Sequence, residues 1–515
     1  MRKISTTELI EKIEEIKAVI IQNRVLINTE TFPIHPNYAY AAKNLVDYLS
    51  LRTFDIRIKQ GNLSYLGLSS FANAERYVLT NINNILYQLK TMQQQSVEAL
   101  LNPENSIWNF FTTLELLIKN TIRLFGDTNN QVSTRIMVTM PSDSANNVKF
   151  TEQLLINGME IARINCSHDN PEIWKSIIDT IHKAEKQTAK KCTIYMDLAG
   201  PKIRTEEIYI LKKKNKKKGF LILHTGDRIK LFSTQAELKQ TIDKYTNDKK
   251  CVALVSMSIP DIVKSIAIGN NIWFDDGKIA GIVEQTTDNY ATILITKASI
   301  KGTKLKKEKG INLPDTQLQL PSLTDEDLAN LPFIVKHADI VGYSFVRTPY
   351  DVKQLMQALT ALNRLDIGLV LKIENKDAFN NLSDLLLTAM QWSNIGVMIA
   401  RGDLAVELGV ERISEVQEQI LWVCEAAHVP VIWATQILEN LAQTGLATRA
   451  EITDASMSVR AECAMLNKGP FILDTIKTLS NILQRMETHQ NKKTGTLRQL
   501  SFANNFFNMD TKRFC

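Results

Sequence analysis

Charged and hydrogen-bonding residues follow a series of short apolar runs in the second part of the sequence. They are Arg163, Asn165, Ser167, Asp197, Lys372, Glu374, Arg401, Asp403 and Thr435. For any one of them, a salt bridge at the rim of the fold or a helix cap is the ordinary interpretation. Their repeated position after an apolar run instead indicates a shared site, because a parallel barrel brings the carboxyl ends of its strands to one face.

The spacing of these residues points to phosphate and metal chemistry. Lys372 and Glu374 are two positions apart at the end of an apolar run, so their side chains share one face of a strand. Glu374 and Asp403, on neighbouring strands, are suited to one hard divalent cation that keeps room for substrate oxygens, which favours Mg2+ and allows Mn2+. Lys372 and Arg163 would supply positive charge to a phosphate or a developing oxyanion.

The stretch "VMIARGDLAVE", residues 397–407, shows how such a residue is placed. The apolar run is typical of a strand buried on both faces of a parallel sheet. Gly402 then allows backbone amides to approach a ligand where the next helix begins. We therefore expect a ligand-binding turn at Gly402 and Asp403.

Eight apolar runs provide the elements that would position these residues. They are 135–140, 160–165, 193–198, 340–345, 369–374, 396–400, 429–435 and 462–467, and they alternate with helical patterns. Eight strands with intervening helices predict an α/β fold, a (β/α)8 TIM barrel.

The remaining segments predict additional regions around the barrel. Residues 1–130 have helical periodicity, for example at Leu9, Ile13 and Ile16, and form an N-terminal helical region. Residues 205–309 have strand-like runs and predict an inserted β-barrel lid domain. The catalytic barrel would then comprise residues 131–204 and 310–486, and residues 487–515 would form a polar C-terminal tail.

Composition limits the possible partners. The chain has 515 residues, 44% hydrophobic and 23% charged, so it should divide into more than one domain. The segment "LKKKNKKKG", 211–219, contributes six lysines and so accounts for the net charge of +6; a solvated loop is the preferred interpretation, and no nucleic-acid partner is expected. The N-terminus lacks an apolar signal segment, and the six cysteines are scattered. We expect a soluble cytoplasmic protein with free thiols and no membrane partner.

Nine motifs together resemble one family. They are "GMEIARINCSH", "MDLAGPKIRT", "WFDDGKI", "KGINLPD", "VGYSFVR", "LKIEN", "MIARGDLAVE", "WATQILEN" and "TRAEITD". Their order and spacing are similar to those of pyruvate kinase, over residues 134 to about 486. The resemblance implies a barrel with an inserted lid, and Mg2+-dependent transfer of a phosphoryl group from phosphoenolpyruvate to ADP in glycolysis. A homo-oligomer is compatible with it.

The resemblance also implies roles for individual residues. Glu374 and Asp403 match the Mg2+ ligands, and Lys372 matches the cation that stabilises the transferring phosphoryl group and the enolate. Arg163 matches the phosphate contact, and Thr435 the threonine near the methylene carbon that is protonated. The amides at Gly402 and Asp403 would receive the substrate carboxylate.

Further matches concern a monovalent cation and the nucleotide. The implied K+ ligands are Asn165, Ser167, Asp197 and the carbonyl oxygen of Leu198. His168 and Arg204 match nucleotide contacts, and Lys309 lies where the lid of the family reaches toward the phosphates. Lys202 resembles family members that work without K+, because a fixed ammonium group can replace the bound ion.

The sequence also departs from the family pattern. The first strand is followed by "VTMPSDS" instead of a Gly-Pro turn, Ala199 stands where a lysine is usual, and "LNKGPF", 466–471, replaces a Ser-Gly-Glu-Thr segment. We expect the C-terminal domain that binds sugar-phosphate activators in many members to be absent. Two alternative functions stay open: a Mg2+-dependent lyase that forms an enolate from a 2-oxo acid, and a non-catalytic binding protein.

Overall fold

The structure is a computed structural model that describes most of the chain. The described residues are 3–26, 33–97, 107–128, 132–211, 216–217, 220–245, 250–260, 262–316, 318, 320–487 and 501–508. Much of the lysine-rich segment and of the expected C-terminal tail therefore lies outside the described residues. Within these ranges, no helix combines the length and the apolar character needed to cross a membrane.

Helices and strands alternate along most of the described chain. Helices α1–α18 span, in order, Thr6–Asn23, Ala39–Leu51, Arg57–Tyr65, Val78–Met92, Phe110–Phe125, Val148–Ile156, Pro171–Thr188, Gln235–Tyr245, Asp325–His337, Pro349–Ala361, Lys376–Asn380, Leu382–Ala389, Arg401–Leu408, Ile413–Ala426, Glu439–Thr444, Arg449–Met457, Ile472–Glu487 and Ser501–Asn508. Strands β1–β18 span Arg135–Thr139, Met159–Asn165, Thr193–Asp197, Thr205–Ile210, Lys216–Lys217, Phe220–Leu223, Arg228–Phe232, Cys251–Met257, Asn271–Phe274, Ile279–Thr286, Tyr290–Lys297, Thr303–Leu305, Ile311–Asn312, Ile340–Tyr343, Gly368–Ile373, Ile395–Ala400, Val431–Ala434 and Cys463–Leu466.

Eight parallel strands close into a barrel in the order β1-β18-β17-β16-β15-β14-β3-β2. They are the eight strands predicted from the sequence, and each observed end lies within two residues of the predicted one. Every residue of β14 to β18 is buried, which explains why these strands are continuous apolar runs. The predicted fold class, a (β/α)8 TIM barrel, is confirmed.

The interior of the barrel is arranged in layers. Its apolar layer contains Met137, Ile161, Tyr195, Ile340, Val370, Met398, Ile432, Cys463 and Met465. Side chains two positions further along a strand point to the same side, so Arg163, Asp197 and Lys372 lie directly above Ile161, Tyr195 and Val370. The barrel therefore carries its charged side chains on a packed apolar floor.

The segment between β3 and β14 contains residues 205–309, predicted as an inserted β-barrel lid domain, is rich in strands and returns to the barrel through β13. Its larger sheet has the order β13-β9-β10-β11-β7-β8-β4, and β12, β6 and β5 form a second sheet. Ile229, Val283 and Ile293 lie in a hydrophobic cluster of its own. Arg204 and Gly310, at the two connections to the barrel, form an antiparallel bridge, so both connections lie side by side.

The N-terminal helices pack against the barrel from outside and from below. Arg76 forms an ion pair with Glu425 of α14, and Asn44 Nδ2 donates a hydrogen bond of 2.8 Å to the carbonyl oxygen of Ala426. At the end of α5, Leu124 joins the interior cluster of the barrel. A side chain at Gly368 or Gly396 would place its Cβ atom 2.6 or 2.5 Å from Leu124. These two glycines therefore admit the leucine that closes the bottom of the barrel.

Within the segment expected to be a polar tail, the structure describes a short helix, α18. Phe502, Ala503 and Phe506 of this helix are buried. The ring of Phe502 lies 5.9 Å from the ring of Phe379 on α11, centroid to centroid. The segment 487–515 thus includes residues that pack against the barrel helices. As predicted, the five cysteines in the described residues form no disulfide bonds with one another, and Cys515 lies outside these residues.

His428 is a fully buried titratable group between the N-terminal helices and the barrel. It has φ = 50° at the turn before β17, and its ring meets the ring of Tyr40 edge-on at 5.5 Å. Asn120 of α5 donates a hydrogen bond of 2.8 Å to its carbonyl oxygen. Burial lowers the pKa of His428 from its usual 6.5 to about 3.

We predict that His428 makes the protein less stable in acid. Between pH 6.5 and 3 the unfolded chain binds a proton at this residue and the folded chain does not, so stability is lost as the pH falls below 6.5. From pH 7.5 to 5 this loss amounts to about 2 kcal/mol. Urea unfolding at both pH values should show a smaller loss of unfolding free energy in His428→Asn than in wild type. Asparagine is chosen because it tolerates a positive φ. His224→Asn, which replaces an exposed histidine, is the control. Equal losses of unfolding free energy in His428→Asn and wild type would contradict the prediction.

Candidate active site at the carboxyl ends of the barrel strands

Lys372 lies at the centre of a buried charged cluster. Its Nζ atom is 3.0 Å from Glu374 Oε1 and 3.3 Å from Asp197 Oδ2, and it donates a hydrogen bond of 2.7 Å to Ser344 Oγ. The Lys372 side chain is 9% exposed and that of Asp197 is fully buried. Charges with so little water around them must be balanced by the protein itself.

Arg163 and Tyr195 complete the coordination of Asp197. Arg163 donates to Asp197 Oδ2 through Nε at 2.8 Å and Nη2 at 2.5 Å, and to Thr139 Oγ1 through Nη1 at 3.0 Å. The hydroxyl group of Tyr195 donates to Asp197 Oδ1 at 2.9 Å. A Cβ atom at Gly342 would lie 2.1 Å from that hydroxyl oxygen, so glycine on β14 is what admits the tyrosine.

Electrostatics fix the charge state of this cluster. Burial acts to lower the pKa of Lys372, but Asp197 and Glu374 outweigh it and raise the pKa. The pKa of Arg163 is raised in the same way, because Asp197 outweighs burial. For Asp197, burial acts to raise the pKa, and Lys372 and Arg163 lower it. The site therefore presents two permanent cations around one permanent carboxylate.

Glu374 and Asp403, which follow the neighbouring strands β15 and β16, form a second pair of carboxylates. Glu374 Oε2 accepts a hydrogen bond of 2.7 Å from the amide of Phe345. Burial raises the pKa of Glu374, and Asp403 adds to the rise against the opposing charge of Lys372. A buried carboxylate whose pKa is raised by a neighbouring carboxylate is suited, together with that neighbour, to a divalent cation. Among the described residues, no group of three or more His, Cys, Asp or Glu could hold a metal, so such an ion would take further ligands from water and substrate, as Mg2+ does.

Lys202 forms an ion pair with Asp403 in the structure. Its Nζ atom is 3.0 Å from both Asp403 Oδ1 and Oδ2. Asn312 Nδ2 lies 3.4 Å from Asp403 Oδ1 and 3.3 Å from Glu407 Oε1. A Cβ atom at Gly310 would approach Lys202 Cε to 3.0 Å. Lys202 therefore lies between Asp403, the predicted metal ligand, and Gly310, at the second connection of the insert. Lys202 and Asp403 both line a cavity of about 280 Å3.

Gly402 and Thr435 are in contact, as expected for residues at the carboxyl ends of the barrel strands. The amide of Gly402, in the first turn of α13, donates a hydrogen bond of 3.0 Å to Thr435 Oγ1. Thr435 has φ = 63°, a strained conformation for a β-branched residue. Arg401 holds this turn: it donates to the carbonyl oxygens of Ala434 and Thr435 and pairs with Asp454.

The predicted K+ ligands lie at adjoining strand ends but are partly engaged within the protein. Asn165 Oδ1 accepts a hydrogen bond of 3.1 Å from the amide of Ser167. The carbonyl oxygen of Leu198 accepts one of 2.6 Å from the hydroxyl of Ser344. Both oxygens of Asp197 accept hydrogen bonds from side chains, as described above. Lys202 pairs with Asp403, so its ammonium group lies beside a predicted Mg2+ ligand.

The predicted nucleotide residues fall in two places. His168 lines a cavity of about 300 Å3 together with Arg163 and Asn165. Arg204 and Lys309 lie at the base of the insert, where Arg204 Nη1 donates to the carbonyl oxygen of Glu308 at 3.3 Å. Lys309 Nζ is 2.8 Å from Asp275 Oδ1, so this lysine is paired within the insert.

Sequence reasoning missed several residues of the cluster. Tyr195, Ser344 and Asn312 make the contacts described above, and Glu407 is a half-buried carboxyl group whose pKa burial raises to about 7. Tyr195 is two positions before Asp197, so the period of two along the strand could have indicated it. The other three depend on contacts between distant segments, which no local pattern indicates.

The fold and the site define a class of protein: a (β/α)8 barrel with a β-rich insert and a buried lysine–carboxylate cluster at the carboxyl ends of its strands. The family model described as the pyruvate kinase barrel domain matches residues 131–469. The chain belongs to the pyruvate kinase family.

Curated relatives show the same similarity. The pyruvate kinase of Staphylococcus epidermidis (strain RP62A) is 30% identical over 368 residues, which cover 70% of this chain and 58% of that protein. The pyruvate kinase of Staphylococcus haemolyticus (strain JCSC1435) is 31% identical over 369 residues, with the same coverage. That of Staphylococcus aureus (strain USA300) is 30% identical over 367 residues. The chain thus spans 58% of the length of these relatives.

We predict that Lys202 weakens divalent-cation binding, because a cation must replace its ammonium group at Asp403. Lys202→Met should therefore bind Mn2+ several-fold more tightly than wild type, as measured by the electron paramagnetic resonance signal of free Mn2+. Lys309→Met, which removes an ion pair to Asp275 away from this carboxylate, is the matched control. Equal or weaker Mn2+ binding by Lys202→Met would contradict the prediction.

Proposed function

We propose that the protein is a pyruvate kinase that transfers the phosphoryl group of phosphoenolpyruvate to ADP with Mg2+. The observation that carries the proposal is the buried Lys372, which is held protonated between Asp197 and Glu374 at the top of the barrel. Membership of the family supports it. In the reaction, the bond from phosphorus to the enol oxygen breaks and a bond to a β-phosphate oxygen of ADP forms. The enolate then takes a proton at its methylene carbon to give pyruvate.

The residues of the cluster suit the demands of this reaction. Phosphoryl transfer asks a protein mainly for positioning and charge neutralisation. Arg163 and Lys372 are fixed cations on one side of the site, and their guanidinium and ammonium groups would contact the phosphoryl group. Glu374 and Asp403 would hold Mg2+, which neutralises phosphate charge when bound. Thr435, whose hydroxyl is already ordered by the amide of Gly402, would lie near the carbon that receives the proton.

We further propose that K+ is dispensable. The carboxylate of Asp197, which would ligate the ion, already accepts hydrogen bonds from Tyr195 and Arg163. Lys202, which pairs with Asp403, adds a further positive charge at the carboxyl ends of the strands. Both features supply, from the protein itself, the charge that a monovalent cation would otherwise bring.

A lyase that forms an enolate from a 2-oxo acid would also use the pair Glu374 and Asp403. The retained insert and the two cations Arg163 and Lys372 favour phosphoryl transfer over the lyase reaction. The two functions differ in their substrates, since a lyase would consume oxaloacetate or a larger 2-oxo acid without ADP.

We predict that Lys372→Met removes most of the phosphoryl-transfer activity. Loss of one preorganised charge raises the barrier by about 2.7–4 kcal/mol, roughly a hundredfold or more in rate. The rate of pyruvate formation at saturating Mg2+, phosphoenolpyruvate and ADP is the measurement, and circular dichroism checks the fold. Lys353→Met, an exposed lysine on α10, is the control. Near-normal turnover in Lys372→Met would remove this lysine from the mechanism.

For the monovalent cation, we predict that activity in tetramethylammonium buffer stays within a few-fold of that in K+ buffer. The comparison uses the same ionic strength and saturating Mg2+ in both buffers. A wild-type protein that is nearly inactive in tetramethylammonium and regains activity on addition of K+ would show that Asp197 is available to the ion after all.

A further inference from the structure

The β-rich insert has a cavity of its own, of about 580 Å3, lined by residues of β7, β8, β10 and β11. No residue of the candidate active site is among the described residues that line it. Its volume is within the range of small-ligand sites, about 300–1,000 Å3. Its basic lining residues are Arg228, Lys230 and Lys250, and its acidic one is Glu284. The described residues around this cavity therefore give it an excess of positive charge.

The strand register explains how Lys230 comes to line this cavity. Lys230 lies opposite Thr292, and Thr292 lies opposite Gln285, so the three side chains form a row across the sheet. Arg228 is two positions before Lys230 and Phe232 two positions after it, so both share its face. Phe232 belongs to a hydrophobic cluster that includes residues of α8. Lys230 is thus the residue at which the apolar part of this sheet face meets the polar cavity.

Lys230 is a buried lysine whose charge has no counter-ion among the described residues. The residue is 7% exposed, and its Nζ atom lies 4.5 Å from the ring centroid of Tyr245 and 4.7 Å from that of Tyr290. It donates a hydrogen bond of 3.4 Å to Thr292 Oγ1. Since a buried charge is costly unless it is paired, this ammonium group is suited to an anion from outside the protein.

The two tyrosine rings hold the ammonium group in place without neutralising it. The hydroxyl of Tyr245 donates a hydrogen bond of 3.0 Å to the hydroxyl oxygen of Tyr290. That hydrogen bond and burial raise the pKa of Tyr290 above its usual 10, against the charge of Lys230. Tyr290 is therefore uncharged at neutral pH and offers the lysine a ring face instead of a negative charge.

The acidic residue of the cavity does not supply the missing charge. Glu284 accepts hydrogen bonds from Arg228 Nε at 2.7 Å and Nη2 at 2.8 Å. The hydrogen bonding of Arg228 lowers the pKa of Glu284, and the charges of Arg228 and Lys250 lower it further, against burial. Glu284 thus stays ionised and is paired with the guanidinium group of Arg228. Three basic side chains against one acidic side chain amount to an excess of two positive charges at the cavity.

We propose that this cavity binds a small organic dianion, a phosphomonoester or a dicarboxylate, with one anionic group at Lys230. The ammonium group would donate charge-assisted hydrogen bonds to that group, and the hydroxyl of Thr292 beside it would donate a further one. Gln285, in the same row, is exposed and would contact the rest of the ligand through its amide. The cavity is larger than a single phosphate or carboxylate group, which leaves room for the organic part. The site belongs to the insert, so the inference does not depend on the proposed function.

The test is calorimetric titration of the full-length protein with glycerol 3-phosphate and, separately, with succinate. Wild type should bind at least one of them with a Kd of about 1 mM or lower. Lys230→Met should raise that Kd about tenfold or more, because it removes the buried charge. Lys297→Met is the matched control: this exposed lysine of β11 lies 5.4 Å from the ring centroid of Trp273, does not line the cavity, and should leave the Kd unchanged.

A second variant decides the question if Lys230→Met does not fold. Gln285→Glu changes an exposed residue of the cavity and places a carboxylate there. Repulsion between this carboxylate and a dianion should also raise the Kd about tenfold. Circular dichroism checks the fold of every variant.

Three results would overturn the inference. The first is no saturable binding of either ligand by wild type, and the second is a Kd that neither Lys230→Met nor Gln285→Glu changes, which would place the ligand elsewhere. The third is equally tight binding of acetate or inorganic phosphate, which would show that no organic dianion is selected. The relative Kd values for glycerol 3-phosphate and succinate identify the source of the dianion. Formation of pyruvate from phosphoenolpyruvate and ADP tests the proposed function separately, and either result there leaves this site unaffected.

Discussion

The balance of charge around Asp197 is the constraint on which the rest of the site depends. Its carboxylate is fully buried and accepts hydrogen bonds from Arg163 and Tyr195, with the ammonium group of Lys372 at 3.3 Å. Removing one partner from a buried pair costs about 3–5 kcal/mol, because the charge left behind has no water to replace it. The two cations are therefore held in place by folding and do not need to be ordered by substrate. That is the arrangement that charge neutralisation in phosphoryl transfer requires.

The apolar layers below make this balance possible. Tyr195 connects the two levels, because its ring belongs to the interior cluster and its hydroxyl reaches Asp197. Leu124, from the N-terminal helices, closes the opposite end of the barrel and packs where Gly368 and Gly396 leave room. The region for which the family resemblance gives no role thus has a structural one: it completes the floor that keeps water away from the charged layer.

Much of the barrel could be predicted from the sequence for a physical reason. Strands buried on both faces are continuous apolar runs, so the strand at 396–400 and its seven counterparts could be recognised, and the polar residues after them had to meet at one rim. The pairing of Lys202 with Asp403 could not be predicted, because it joins residues 201 positions apart through the base of the insert. The helix at Ser501–Asn508 was missed because two asparagines separate Phe502 and Ala503 from Phe506 in a polar segment.

Phosphoryl transfer by the cluster around Lys372, as proposed, can be tested directly. The most direct measurement is phosphorus nuclear magnetic resonance of the purified wild-type protein with phosphoenolpyruvate, ADP and Mg2+, with pyruvate measured in the same sample. Loss of the phosphoenolpyruvate signal with the appearance of ATP and pyruvate in equal amounts is the expected result. Release of inorganic phosphate without ATP, or no reaction here together with cleavage of oxaloacetate, would contradict the claim.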